Sequence, residues 1–396
     1  MVIVRIKNGK EKKVLNGYPW IYDDEIFSIE NISKNIDKAN VFTKDYKFLG
    51  TGFFNNFSNK KILILSNKET GLDSDFFMNK IKKAYSWRER FFSKPFYRLF
   101  YGEADGLGGF IVDRFENILV VQFRNGIIYS IKNQLIDCLI KLFNPKAILL
   151  RNDFETNFCE DVIKEKGLLY GDLTDNTIKI EENDIHYFID IVNSQKTGFF
   201  FDQKDSRLYS RKVVKDFSFK SALDLFSFTG GFGLNMAKEG CRVISVDKSE
   251  EDLILAKKNA RLNGVEDKIT FVNSDAFNYL KEECGDKFDV SIIDPPSLIK
   301  KKGELSKGIK LFTELSEGGF RITKNGGILT ICSCAYNFTL SHIIESMRKS
   351  SCGKNISFNF LNVTYQSKDH PWNLQIPETL YLKCLWSIID KEDKYA

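Results

Sequence analysis

Asp224-Leu-Phe-Ser-Phe-Thr-Gly-Gly-Phe-Gly233 decides the fold. It follows the short apolar run that begins at Ala222 and leads into a helical pattern, so it reads as strand, glycine turn, helix. Glycines let the backbone approach a ligand closely, and the helix start behind them offers oriented N–H groups. The spacing is not GxGxxG, which argues against a pyrophosphate-bearing dinucleotide. The same rhythm recurs downstream in RVISVD, ITFVNSD, FDVSIIDPP and GGILTICS. Five apolar runs alternating with helical stretches predict an α/β domain built on a parallel sheet covered on both faces.

Strand ends are where such sheets bind ligands. Asp224 ends the first run, Asp247 the second, Asp275 the third and Asp294 the fourth. Any one of them could be a helix cap or a turn residue. In this order along one edge they form a constellation: a carboxylate for ribose hydroxyls at Asp247, and a carboxylate with the aromatic Phe277 for an adenine at Asp275. The fifth run ends at Cys332-Ser333-Cys334, two thiols on the same edge.

Outward from this region the chain changes character. The first 75 residues read as short strands (VIVRI, KVL, WIYDDEI, ANVFT, FLGTGFF, KILILS) separated by turn pairs, which predicts a small β module. A basic helix is expected from Asp75 to Ser93, then a small α+β unit to about Thr177. The predicted division is therefore 1–75, 76–180 and 181–396. At 396 residues and 43% apolar side chains, several domains are expected and disorder is excluded.

The net charge of +5 is unevenly spread: residues 1–100 hold 19 Lys and Arg against 11 Asp and Glu, and the remainder 39 against 42. A positive excess confined to the β module suits a phosphate-bearing partner, with Lys12, Lys13 and Trp20 as candidate RNA contacts. The opening MVIVRIKNGKEKK lacks an apolar export core, and no run of about 18 uncharged apolar residues occurs. A soluble cytoplasmic protein with no membrane partner is expected. Eight unpatterned Cys suggest reduced thiols, and three His with no CxxC pair give no reason to expect a metal site. Cys138, Cys159, Cys241, Cys284, Cys352 and Cys384 are read as structural.

The glycine turn, Asp247, the NSDAF segment and DPPS together resemble class I S-adenosylmethionine-dependent methyltransferases. That resemblance implies S-adenosyl-L-methionine as cofactor, held by Asp224, Phe226, Thr229, Gly230, Gly231, Asp247, Lys248, Asp275, Ala276 and Asp294, with Pro295 and Pro296 beside the target base. Enzymes that methylate an exocyclic nitrogen often carry an aromatic residue after the two prolines, whereas Ser297 and Leu298 follow here.

More of the chain shares a narrower likeness. Asn16-Gly-Tyr-Pro-Trp-Ile-Tyr-Asp-Asp-Glu-Ile26, Gly102-Glu-Ala-Asp-Gly-Leu-Gly-Gly-Phe-Ile-Val-Asp-Arg114, Gln195 to Arg207, Asp369-His-Pro-Trp372 and Pro377 to Lys383 resemble the RlmI-type large-subunit ribosomal RNA cytosine-C5 methyltransferases. Tyr18, Gly108 and Lys204 stand where that family usually has His, Pro and Arg. The likeness implies an N-terminal PUA RNA-binding domain, a small central α+β domain and a C-terminal Rossmann-like methyltransferase domain. It further implies ribosomal RNA as partner, a possible homodimer, and Gln203 and Arg207 beside the cofactor or the RNA.

Carbon 5 of a pyrimidine is a poor nucleophile until a thiolate adds to carbon 6. Cys332 matches the cysteine of the family's thiol motif, with Ile331 where Thr is usual, and Asp294 would assist at the base's nitrogen 3. The role of Cys334 stays open. Two other readings remain: a guanine-N7 or guanine-N2 RNA methyltransferase, which needs no thiol, and a non-catalytic RNA-binding assembly factor that keeps the fold.

Overall fold

The computed structural model describes residues 1–153, 163–283, 285, 287–299 and 302–391; Cys159 and Cys284 lie outside them. The chain forms two compact units. The first comprises Met1–Asn176, Ile191–Phe201 and Lys368–Thr379; the second comprises Thr177–Asp190, Asp202–Ser367 and Leu380–Ala396. The expected segments 1–75 and 76–180 thus fall almost wholly in one unit, and the chain passes between units several times instead of once.

In the first unit a six-stranded sheet carries the order Trp20–Tyr22, Lys60–Ser66, Phe48–Asn55, Ile36–Phe42, Val2–Ile6, Ile26–Glu30. Gly52 is required inside it, because a methyl group there would meet the Leu63 carbonyl oxygen at 2.0 Å. The KVL segment, expected as strand, is instead the helix Glu11–Leu15. Glu and Lys favour helix, and Gly17 at φ 91° lets the chain turn just after it. A five-stranded sheet follows, from Phe96–Tyr101 at one edge to Lys166–Gly171 at the other.

The basic helix runs over Ser74–Glu89, started by the Asp73 side chain accepting from the Phe76 N–H at 2.9 Å. Trp20, Phe53 and Leu63 share a core with Phe77, Ile81, Leu99, Phe110, Val121 and Leu139, so the β module and the α+β segment are one hydrophobic body. Within it Arg88 is fully buried. Its guanidinium donates to both Asp105 oxygens at 2.8 and 2.7 Å and to the carbonyls of Arg98 and Asp369.

The second unit holds a seven-stranded sheet: β1 (Ser221–Leu225), β2 (Arg242–Asp247), β3 (Ile269–Asn273), β4 (Phe288–Ile293), β5 (Thr323–Ser333), β6 (Ser357–Tyr365) and β7 (Lys383–Asp390). Its order is β3-β2-β1-β4-β5-β7-β6; the first five strands are parallel and β7 is antiparallel to both neighbours. All five runs predicted from sequence are present. The helices are α1 (Lys204–Asp216), α2 (Gly231–Lys238), α3 (Glu250–Leu262), α4 (Ala276–Glu282), α5 (Leu305–Ile322) and α6 (Leu340–Ser350). A two-stranded ribbon, Thr177–Glu182 with Ile185–Asp190, belongs to this unit as well. Among the described residues no helix is long and apolar enough to cross a membrane.

Replacing Arg88 by Met should destabilise the first unit by about 3–5 kcal/mol, since it strands the buried Asp105 carboxylate. Urea unfolding followed by tryptophan fluorescence checks this; an unchanged midpoint would show that the pair contributes nothing.

Candidate active site

The strand order reverses at β1, between β2 and β4, and the glycine turn leaves the sheet there. The turn is tightly determined. Phe226 and Phe228 hold φ values of 61° and 49°, unusual for bulky residues, and Gly230 holds 88°. The Ser227 N–H donates to the Val246 carbonyl at 3.0 Å, and the Gly230 N–H to the Ser227 carbonyl at 2.8 Å. Asp224 is fully buried, and its Oδ2 accepts the Gly233 N–H at 2.7 Å, which fixes the start of α2 against the end of β1.

Arg207 lies behind the same turn. A methyl group on Gly231 would come 2.9 Å from Arg207 Cδ. Burial alone would depress the guanidinium, but the Glu182 carboxylate, accepting at 2.6 and 2.8 Å, holds it firmly charged. Arg207 is 4% exposed, so it buttresses the turn from inside and does not present itself to an RNA strand. Glu182 is the residue that sequence reasoning missed: its only advance sign is that a buried arginine needs a carboxylate.

The other strand-end carboxylates are placed as follows. Asp247 accepts the Phe228 N–H through Oδ2 at 2.8 Å and the Ser249 N–H through Oδ1 at 2.9 Å. It therefore shapes the turn while remaining part-exposed, and Lys248 beside it is exposed. Asp275 is exposed and caps α4, its Oδ1 accepting from Phe277 and Asn278, with Ala276 buried next to it. The Phe277 ring meets the Phe226 ring edge-on at 6.5 Å. Asp294 at the end of β4 accepts from the Gln203 side chain at 2.8 Å; Pro295 is buried and Pro296 exposed.

Burial first, then the charges of Asp294 and Asp247, push the Asp224 carboxyl up to about 8 against the Gly233 hydrogen bond. Asp224 Oδ1, Ser227 Oγ, Thr229 Oγ1 and Ser245 Oγ are buried polar atoms with no hydrogen-bond partner among the described residues. Such atoms around a glycine turn are what a polar ligand would satisfy, and the donor set fits a nucleoside carrying an amino-acid tail.

The thiols differ from one another. Cys332 is fully buried; burial, with Cys384 alongside it, raises its thiol well above the usual value. Cys384, its partner in β7, donates to Gln203 Oε1 at 3.5 Å. Cys334, just past the end of β5, is half-buried.

In the first unit Lys12 is exposed, whereas Lys13 is ion-paired with Glu25 and lies over the Tyr18 and Tyr22 rings. Trp20 is 3% exposed and its indole N–H donates to Glu103 Oε1 at 3.1 Å. Its ring is core, and it offers no stacking platform for a base.

A sheet of this order with a carboxylate-backed glycine turn at its reversal point defines an S-adenosylmethionine-dependent methyltransferase. Solved structures share the fold: a chain from Streptococcus mutans described as a SAM-dependent methyltransferase matches with a TM-score of 0.81 at 21% identity over 98% of this chain and 100% of that one. A second, solved with S-adenosylhomocysteine, matches at 0.83 and 22% over the same shares. Residues 219–298 match the family model described as RNA cap guanine-N2 methyltransferase, and residues 4–66 a PUA-like domain. Ribosomal RNA large subunit methyltransferase I of Vibrio vulnificus is 32% identical over 96% of this chain and 97% of its own length, and the Enterobacter protein of that name 31% over 96% and 97%. The chain belongs to the ribosomal RNA large subunit methyltransferase I family.

Asp224→Asn should remove a pH dependence. The folded value of about 8 exceeds the ordinary 3.8, so folding takes up a proton between them. Stability from the neutral carboxyl is complete below about pH 4 and declines as pH rises through about 8. Thermal unfolding of wild type minus Asp224→Asn should show that decline, and a flat difference would contradict a neutral Asp224.

Proposed function

We propose that the protein methylates carbon 5 of a cytidine in large-subunit ribosomal RNA. The substrate class is supported by the names of relatives similar along almost the whole chain. The base and position are supported by one observation, the Cys332-Ser333-Cys334 segment where β5 ends, next along the sheet from the Asp294-Pro-Pro-Ser297 loop. When bound at the glycine turn, S-adenosylmethionine supplies an electrophilic methyl group.

The remaining work falls to this chain's residues. Asp247, Asp275 and the turn hold the cofactor's polar ends. Pro295 and Pro296 stiffen the loop over which a planar base lies, and Asp294, fixed by Gln203, faces the base's nitrogen 3 and amino edge. A thiolate from the strand end adds to carbon 6 and makes carbon 5 nucleophilic. A paired or stacked cytidine hides carbon 6, so the nucleotide must swing out first. The basic N-terminal unit, through surface groups such as Lys12, holds the surrounding RNA.

Guanine-N2 methylation is a second reading, favoured by the family model over residues 219–298. That stretch ends before the thiols and speaks for the cofactor half of the domain.

Nucleoside mass spectrometry of ribosomal RNA from a deletion strain separates the two. Loss of 5-methylcytidine at one site, restored by the gene, is expected; loss of 2-methylguanosine with 5-methylcytidine intact would refute the proposal. Titration calorimetry should show S-adenosylmethionine binding by wild type and at least about tenfold weaker binding by Gly231→Val, whose side chain collides with Arg207. Equal affinities would mean that the turn is not the cofactor site.

A further inference from the structure

Lys383 opens β7 opposite Ser333 in the β5–β7 ladder. The residue is 5% exposed, and its Nζ reaches over the exit of β5 to donate to the Ala335 carbonyl at 2.6 Å and the Tyr381 carbonyl at 2.9 Å. Among the described residues no carboxylate forms an ion pair with it. A buried ammonium normally takes an anionic partner, because neutral carbonyls repay only part of its lost hydration. The groups that act on its charge are two thiols, Cys334 and Cys384, after the burial that pulls the amine down to about 8.

These thiols are not equivalent. Cys384 is fully buried and already donates to Gln203, and the Cys332 thiol beside it is raised by burial. Cys334 is half-buried and immediately precedes Ala335, whose carbonyl anchors the Lys383 ammonium.

We infer that Lys383 is a positioning residue whose buried ammonium is the counter-charge of a Cys334 thiolate, and that Cys334 is the sulfur that adds to carbon 6 of the target cytosine. The addition step rests on the cytosine-C5 reading; the Lys383–Cys334 pair does not. The Cys334 proton leaves to water while Lys383 stays protonated. The Sγ–C6 bond forms as the C5–C6 π pair moves onto C5. That pair then takes the methyl group, whose bond to the cofactor sulfur breaks with its electrons staying on sulfur. The C5 proton leaves to water, the C5–C6 double bond returns, and the Sγ–C6 bond breaks to regenerate the thiolate. Cys332 packs beneath as an apolar neighbour.

The test reads thiol chemistry and RNA chemistry separately. Iodoacetamide alkylation at pH 7, resolved by peptide mass spectrometry, compares Cys334 with the exposed Cys352 in wild type, Lys383→Met and Lys383→Arg. Cys334 should react faster than Cys352 in wild type, slow by about tenfold or more in Lys383→Met, and recover in Lys383→Arg, as expected when a neighbouring positive charge is lost and restored. Unchanged Cys334 rates in a folded Lys383→Met protein, or in Cys334 of wild type no faster than Cys352, would overturn the pair. Large-subunit ribosomal RNA transcribed with 5-fluorocytidine is then incubated with wild-type enzyme and S-adenosylmethionine. An adduct on Cys334 itself, separated from Cys332 by fragment ions within their shared peptide, is expected, whatever the fate of the Lys383 variants. An adduct on Cys332 would overturn the assignment of the nucleophile. No adduct on any cysteine, with alkylation still dependent on Lys383, would uphold the pair and refute the cytosine-C5 reading.

Discussion

The hydrogen bond from the Gly233 N–H to the buried Asp224 carboxyl is the constraint on which the second unit depends. It joins the last turn of β1 to the first turn of α2 and thereby fixes the path of the residues between them. Those residues then adopt left-handed conformations at Phe226, Phe228 and Gly230 that no open loop would keep. Asp247 and Arg207 hold the same turn from two sides, one through the Phe228 N–H and the other by packing against Gly231. Two further carboxylates, Asp294 and Asp247, come close enough for both to raise the Asp224 proton affinity, and that electrostatic tension sits at the glycine turn.

Much of this was legible in the sequence. Five parallel strands are covered on both faces, so each is a continuous apolar run, and the Asp at each run's end marks the sheet edge. The added antiparallel strands and the ribbon were less visible. Their side chains alternate or are part-exposed, as in Ser357–Tyr365, and nothing local in Thr177–Glu182 says which sheet or helix it will meet.

Side-chain roles were harder to read, because they depend on partners far away in the chain. Trp20 belongs by composition to a basic aromatic surface, yet strand alternation turns it inward and Glu103 satisfies its N–H. Arg207 reads as a free cation until Glu182 is found beside it. The thiols at the end of β5 show the same limit: Cys332 and Cys334 differ by one strand repeat, and their different burial follows from where the strand stops, with Lys383 arriving from β7. A motif names both cysteines equally, whereas packing separates them.

The proposed reaction is methyl transfer to carbon 5 of a ribosomal cytidine. Its most direct test uses purified enzyme, S-adenosylmethionine with a deuterated methyl group, and large-subunit ribosomal RNA from a strain lacking the gene, followed by digestion and nucleoside mass spectrometry. A deuterated 5-methylcytidine is the expected labelled product; a label found in 2-methylguanosine, or in no nucleoside at all, would rule that reaction out.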